Sequence, residues 1–189
     1  GCIVSSFRFL IEHIFHFVQG VYKEMSGQPF YLFAMLLGYG GIVLIAGRLI
    51  RTNRDIKGSG IPQVEAELKG LLALSWWDTL WKKYILGVLA IGSGLMLGRE
   101  GPSIQLGAMG GKGVAHHLKV SPVEERSLIA SGAAAGLAAA FNAPIAGLLF
   151  VVEEVYHHFS RFFWISTLAA SLTANFISLN VFGQTPVLH

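Results

Sequence analysis

Two glycine-flanked stretches hold the residues best placed for chemistry. "GSGIP", Gly58 to Pro62, and "GREGP", Gly98 to Pro102, share one design: flexible glycines, a proline suited to a first helical turn, then a helix. Glycine lets the backbone approach a ligand closely. The unpaired N–H groups of a helix start carry about half a positive elementary charge, so both stretches are potential anion seats. One helix terminus contributes about 0.5 to 2 kcal/mol, whereas burying an unpaired ion costs several. A single terminus therefore cannot hold a dehydrated anion. Two termini plus a hydroxyl donor such as Ser59 can, without a full cation that would slow release. Glu100 lies at the second of these starts, where a carboxylate is attracted to the same seat and loses that attraction once protonated.

Other polar residues have plainer readings. Ser59 alone reads as an ordinary N-cap, and Arg99 with Glu100 as a local ion pair. Glu153 and Glu154 close the charge-free run "GLLFVVEE". Adjacent helical residues point about 100° apart, so the two acids cannot share a role: one faces solvent or a partner subunit, the other the interior. The histidine pairs His13 and His16, His116 and His117, and His157 and His158 have no acidic or cysteine partner at metal spacing, so no metal site is expected. "GAMGGKGV" around Lys112 is not a phosphate loop, because Leu106 stands where its first glycine is needed and Gly113 where Ser or Thr is needed. No cofactor and no enzymatic nucleophile–base pair is expected.

The elements that must position these residues follow from composition. Of 189 residues 53% are hydrophobic and only 13% charged, and the mean hydropathy is +0.57, values that belong in a bilayer. Met25 to Gly47, Tyr84 to Gly98, Ser127 to Val152 and Phe162 to Leu188 contain no charged residue, and most approach the roughly 20 residues that span a hydrocarbon core. With no alternating strand pattern, the chain reads as all-α. Helices are expected to end near Glu24 and to cover about 29–51, 60–69, 78–97, 101–117, 122–140, 143–159 and 162–180. The start signals are Ser26-Gly27-Gln28-Pro29, a capping box at Ser121-Pro122-Val123-Glu124, and Asn142 as N-cap before Pro144. Two expected helices are too short or too glycine-interrupted to cross, and such half-helices are tolerated only where they line a cavity or are buried in protein. Gly132 and Gly136 form a G-x-x-x-G that reads as close helix packing.

Arg48, Arg51, Arg54 and Lys57 follow one apolar span, which places the segment around Lys57 in the cytoplasm, and Trp76, Trp77 and Trp81 suit an interfacial belt. The net charge of +3 is too small and too uneven for a nucleic-acid partner. Cys2, the single cysteine, allows no intrachain disulfide. The stretch Phe7 to Val18 contains Arg8 and Glu12 and lacks a cleavage pattern, so it reads as the tail of a helix begun before Gly1 rather than a signal peptide.

In the stretches "GSGIPQVEAEL", "GREGPSIQLG" and "GAAAGLAAAFNAPIAGLLFVVEE", and in their order and spacing, the chain resembles the CLC family of chloride channels and proton/chloride exchangers, from about Phe7 onward. The resemblance implies a polytopic membrane fold of tilted, broken helices, of which residues 1–189 form one transmembrane domain matching the first of two inverted-topology halves. Ser59 looks like the serine that coordinates the central anion, with the amides of Gly60 and Ile61 nearby. Glu100 looks like the gating glutamate that substitutes for an anion and carries the exchanged proton, with the amides of Arg99, Glu100 and Gly101 lining the outer site. Glu154 looks like the internal proton glutamate that distinguishes exchangers from channels. Ser59 favours chloride by this resemblance, since nitrate-preferring relatives carry proline there. The last two helices are expected at a homodimer interface.

The family's second half, which completes the anion site with a G-x-F-x-P-type loop and a late tyrosine, lies beyond this chain, as do any cytoplasmic regulatory domains. The expectation is a truncated piece, or a half completed by a second polypeptide. The leading expectation is proton-coupled chloride exchange, with a passive channel and a non-transporting membrane scaffold as alternatives. Chloride, protons and the lipid bilayer are the expected partners.

Overall fold

The structure is a computed structural model that describes residues 1–24, 29–95, 97–155 and 161–182, the side chains at 23–24, 29–32, 34–35, 154–155, 161–162 and 181–182 excepted. The Ser26–Gln28 start signal lies outside the described residues. Among the described residues eight α-helices follow one another: α1 Cys2–Glu24, α2 Pro29–Thr52, α3 Ile61–Leu68, α4 Trp76–Gly92, α5 Glu100–Leu118, α6 Pro122–Phe141, α7 Pro144–Phe150 and α8 Arg161–Phe182. A 3-10 turn, Arg54–Ile56, precedes α3, and a π-helical turn, Val151–Val155, continues α7. No strand occurs among the described residues.

α5 and α6 form the most extensively packed pair, and their sequences explain why. Gly107 and Gly111 on α5 face Gly132 and Gly136 on α6 so closely that a Cβ at Gly107 would lie 2.9 Å from the Gly136 Cα. The G-x-x-x-G is thus a packing seam, as its spacing predicts. Beyond its charged first turns α6 has no charged residue from Ile129 to Ala140 and is buried there almost continuously, the pattern of a stretch enclosed on all sides. α8 covers another side of it through a buried hydroxyl pair, Ser131 and Thr167, 3.0 Å apart. On α1 the buried Phe7 presses its ring against Gly87 of α4, where a Cβ would come within 2.7 Å.

Three boundaries differ from expectation for local reasons. α4 starts at Trp76 and stops at Gly92, because Gly94 adopts φ 88°, a left-handed conformation that ends a helix. Asn142 does not cap α7. It terminates α6 at φ 55°, and Ala143 stands at the α7 N-cap with no side-chain bond. Asparagine tolerates the left-handed region, so one residue before a proline serves either end equally well. The 3-10 turn was not expected; the Asn53 side chain starts it by accepting the Asp55 N–H at 2.9 Å. The capping box forms as expected: Ser121 Oγ accepts from the Glu124 N–H, and the Glu124 carboxylate accepts from the Ser121 N–H at 2.9 Å.

Among the described residues, no helix is long and apolar enough to cross a membrane. α5 and α6 are rich in glycine, alanine and serine, the residues that let them pack on each other, and α1 and α4 carry charges in pairs whose basic side chains are buried and whose acids are exposed.

Candidate functional site

The loop from Asn53 to Gly60 is held from several directions. Asn53 is buried and donates to the Asp78 carboxylate at 2.8 Å. Gln105 of α5 donates to the Asp55 carbonyl at 2.9 Å, and Gln63 of α3 to the Lys57 carbonyl at 2.8 Å. Lys83 of α4, only 3% exposed, donates to the carbonyls of Ile56 at 3.0 Å and Gly58 at 2.7 Å. The chain then turns at Gly60, whose φ of 98° suits glycine, and α3 begins at Ile61 with Pro62 in its first turn. Ser59 is exposed, and its Oγ accepts the Ile61 N–H at 3.4 Å. The plainer reading of Ser59 as the N-cap does not hold: Gly60 occupies that position without a side-chain cap, and Ser59 Oγ bonds the first helical N–H from one residue further back.

The start of α5 lies directly against this loop. A Cβ on Gly101 would fall 2.7 Å from the Ser59 Cβ and nearer still to the Ser59 carbonyl, so only glycine permits the approach. Gly60 is similarly closed in by Gln105, whose Oε1 would be 2.5 Å from a Cβ there. The two helix starts, separated by some forty residues of sequence, are in backbone contact.

A cavity of about 280 Å³ opens beside them, lined by Ile61, Glu100, Ile104, Leu137, Phe141, Ala143, Ala146, Gly147 and Phe150. The first residues of α3 and α5 and the residue preceding α7 all face it. Among the described residues, Glu100 is the one ionisable group in its lining. The carboxylate is exposed and has no hydrogen-bond partner among the described residues; its Oε2 lies 3.7 Å from where a Gly98 Cβ would be, close to its own loop. Chemically this is an apolar chamber bordered by the first residues of α3 and α5 and one carboxylate.

The expected site residues separate accordingly. Ile61 and Glu100 line the cavity, whereas Gly60 and Gly101 are buried behind them and Ser59 sits at their junction rather than on the cavity wall. Arg99 is not in the cavity lining; its Nη1 lies 3.7 Å from Glu12, which also pairs with Arg8 Nε at 2.9 Å. Glu154 belongs by its backbone to the π-helical turn that packs on α3, and its side chain lies outside the described residues. Glu153 is exposed.

Sequence reasoning missed Lys83 and Gln105. A site built without a cation was expected, yet a buried ammonium holds the carbonyl one residue before Ser59. The signal was present: Lys82 and Lys83 interrupt an apolar helix, and adjacent positions diverge by about 100°. Lys82 satisfies Asp78 at 2.8 Å, which leaves Lys83 to reach the loop.

Broken helices whose starts meet at a polar point in an apolar bundle define a class of membrane proteins that bind ions at helix ends. The family described as voltage gated chloride channel matches residues 41–189, and the chain belongs to that family. Membership makes it a membrane protein. An H(+)/Cl(-) exchange transporter ClcA of Vibrio campbellii is 40% identical over 165 residues, covering 85% of this chain and 35% of the relative. ClcA of Salmonella arizonae is 33% identical over 100% of this chain and 41% of the relative. The solved structure of a slow cyanobacterial Cl-/H+ antiporter superposes with a TM-score of 0.90 at 33% identity, covering 98% of this chain and 45% of that one. The chain thus spans about two-fifths of the length of these relatives.

Proposed function

We propose that residues 1–189 form the first half of a proton-coupled chloride transporter, in one transmembrane domain, with an anion seated where α3 and α5 begin. The observation that carries this reading is the backbone contact between Ser59 and Gly101, which brings two helix starts together beside a cavity that Glu100 lines. In the proposed mechanism the hydroxyl of Ser59 and the amides of Gly60 and Ile61 coordinate the inner anion. The amides of Arg99, Glu100 and Gly101 line the outer position. Ionised Glu100 competes for that outer position. Protonated Glu100 leaves it, so each entry of chloride is linked to a proton carried by the same carboxyl. Glu154 passes that proton to the cytoplasmic side, on which the Lys57 segment lies. A second half completes the site, two copies of the whole associate as a homodimer, and chloride is substrate rather than cofactor. Support comes from the family membership, the exchange activity named for the ClcA relatives and the antiporter named for the superposed structure.

The test is flux in liposomes containing the intact protein. Outward chloride flow is expected to drive uphill proton entry, and Glu100→Gln to abolish proton movement while chloride flow persists. Chloride flow without proton movement in the unmodified protein would replace exchange with passive conduction, and no anion flow at all would leave only a scaffold.

A further inference from the structure

We propose that Lys83 is a positioning residue that makes the Ser59 loop selective for small anions by turning its carbonyls away from the ion, a role resting on the anion-site reading above. Four successive carbonyls precede Ser59, and each is claimed by a side-chain donor. Gln105 Nε2 takes Asp55 at 2.9 Å, Lys83 Nζ takes Ile56 at 3.0 Å and Gly58 at 2.7 Å, and Gln63 Nε2 takes Lys57 at 2.8 Å.

The consequence is directional. Peptide N–H and C=O point opposite ways, so fixing the carbonyls of residues 55–58 against α3, α4 and α5 fixes which face of the loop is left to the amides that follow. An anion is repelled by a free carbonyl and attracted by a free N–H, so both the strength and the fit of the seat depend on the carbonyls staying turned back. Lys83 does most of this, holding two carbonyls from a position that is 3% exposed. Its charge is spent on two carbonyl dipoles, so it strengthens the seat without offering the anion a direct ion pair. Gln105 adds a hard stop: it is fully buried, its Oε1 has no hydrogen-bond partner among the described residues, and it packs against Gly60 where that residue turns at φ 98°. Because Gln105 belongs to α5, the loop is registered to the helix that begins with Glu100.

The experiment measures binding of chloride and of the larger thiocyanate to the intact purified protein by calorimetry. Lys83→Met is expected to weaken chloride binding at least about tenfold and thiocyanate distinctly less, because a loosened loop tolerates the larger ion. Lys83→Arg, which can still bridge two carbonyls, is expected to restore chloride affinity to within about threefold. Gln63→Leu, at the half-buried edge of the loop, frees one carbonyl and is expected to show the same selectivity change at about threefold, which keeps the test decisive if Lys83→Met does not fold. Unchanged chloride binding in Lys83→Met, or in Gln63→Leu where the former cannot be purified, overturns the proposal. So does a loss that is equal for both anions and not rescued by arginine, the mark of a merely structural lysine. If the unmodified protein binds no chloride, the anion-site reading itself fails; if it binds chloride and the variants bind it equally well, that reading stands and the role of Lys83 alone is lost.

Discussion

Ser59 and Glu100 stand on either side of one backbone contact, yet their surroundings differ. The serine hydroxyl is engaged with the Ile61 N–H at 3.4 Å, while the glutamate carboxylate has no hydrogen-bond partner among the described residues. A 3.4 Å bond is weak and easily exchanged for an anion, which accepts from the hydroxyl as the hydroxyl turns over. A hydrogen bond to a charged group contributes about 1.5 to 3 kcal/mol, so Ser59→Ala is expected to weaken chloride binding by about tenfold or more with the fold retained, measured by calorimetry. Both residues were legible because glycines and prolines mark their loops in the sequence. Lys83 was visible only as a charge in an apolar helix and Gln105 not at all, because their partners are carbonyls of a loop 25 and 50 residues away, and neither spacing nor composition encodes which helix crosses behind a loop.

At the scale of elements, most helix starts followed from proline and capping chemistry, and the errors fell where one residue type serves two ends. Asn142 before Pro144 reads as a start but acts as a stop, and Gly94 ends α4 earlier than its apolar run suggests. Glycine at the α3 start makes a sharper prediction. Gly58 has φ 74° and open space, with nothing within 4 Å of where a methyl group would sit, whereas Gly60 has φ 98° and would drive a methyl group into Gln105. Gly58→Ala is expected to cost only left-handed strain, about 1 to 2 kcal/mol, while Gly60→Ala adds overpacking of about 1 to 3 kcal/mol. Thermal unfolding of the two variants in detergent ranks them, and equal midpoints would contradict the close fit. The capping box of α6 makes a prediction in pH. Its hydrogen bonds from Ser121 hold the Glu124 carboxyl below the usual value of 4.5. A lowered folded value means that the cap stabilises α6 above pH 4.5 and that this contribution disappears as pH falls through the folded value. Ser121→Ala is expected to flatten the dependence of the unfolding midpoint between neutral and acid pH; an unchanged slope would show that the box contributes nothing there.

Over the whole molecule, the glycine seam packs α5 on α6, close contacts at Gly60 and Gly101 bring the α3 start against α5, and α8 covers α6 on another side. The outer surface of α8 is apolar. Ile165, Leu168, Leu172 and Phe176 are 64%, 37%, 49% and 67% exposed, and at intervals of three and four they form one stripe. Such a stripe suits either lipid or a second protein surface, and the two differ mechanically. Lipid chains rearrange around any apolar side chain, but a packed protein interface has native density and resists added volume. In the proposed homodimer, Leu172→Trp is therefore expected to shift the intact protein toward monomer in detergent and in membranes, while Leu172→Met leaves the dimer in place because its volume is nearly conserved. Size-exclusion chromatography with light scattering reads the change. A dimer that persists with tryptophan at this position would mean that α8 faces lipid and that the contact between copies lies on another surface.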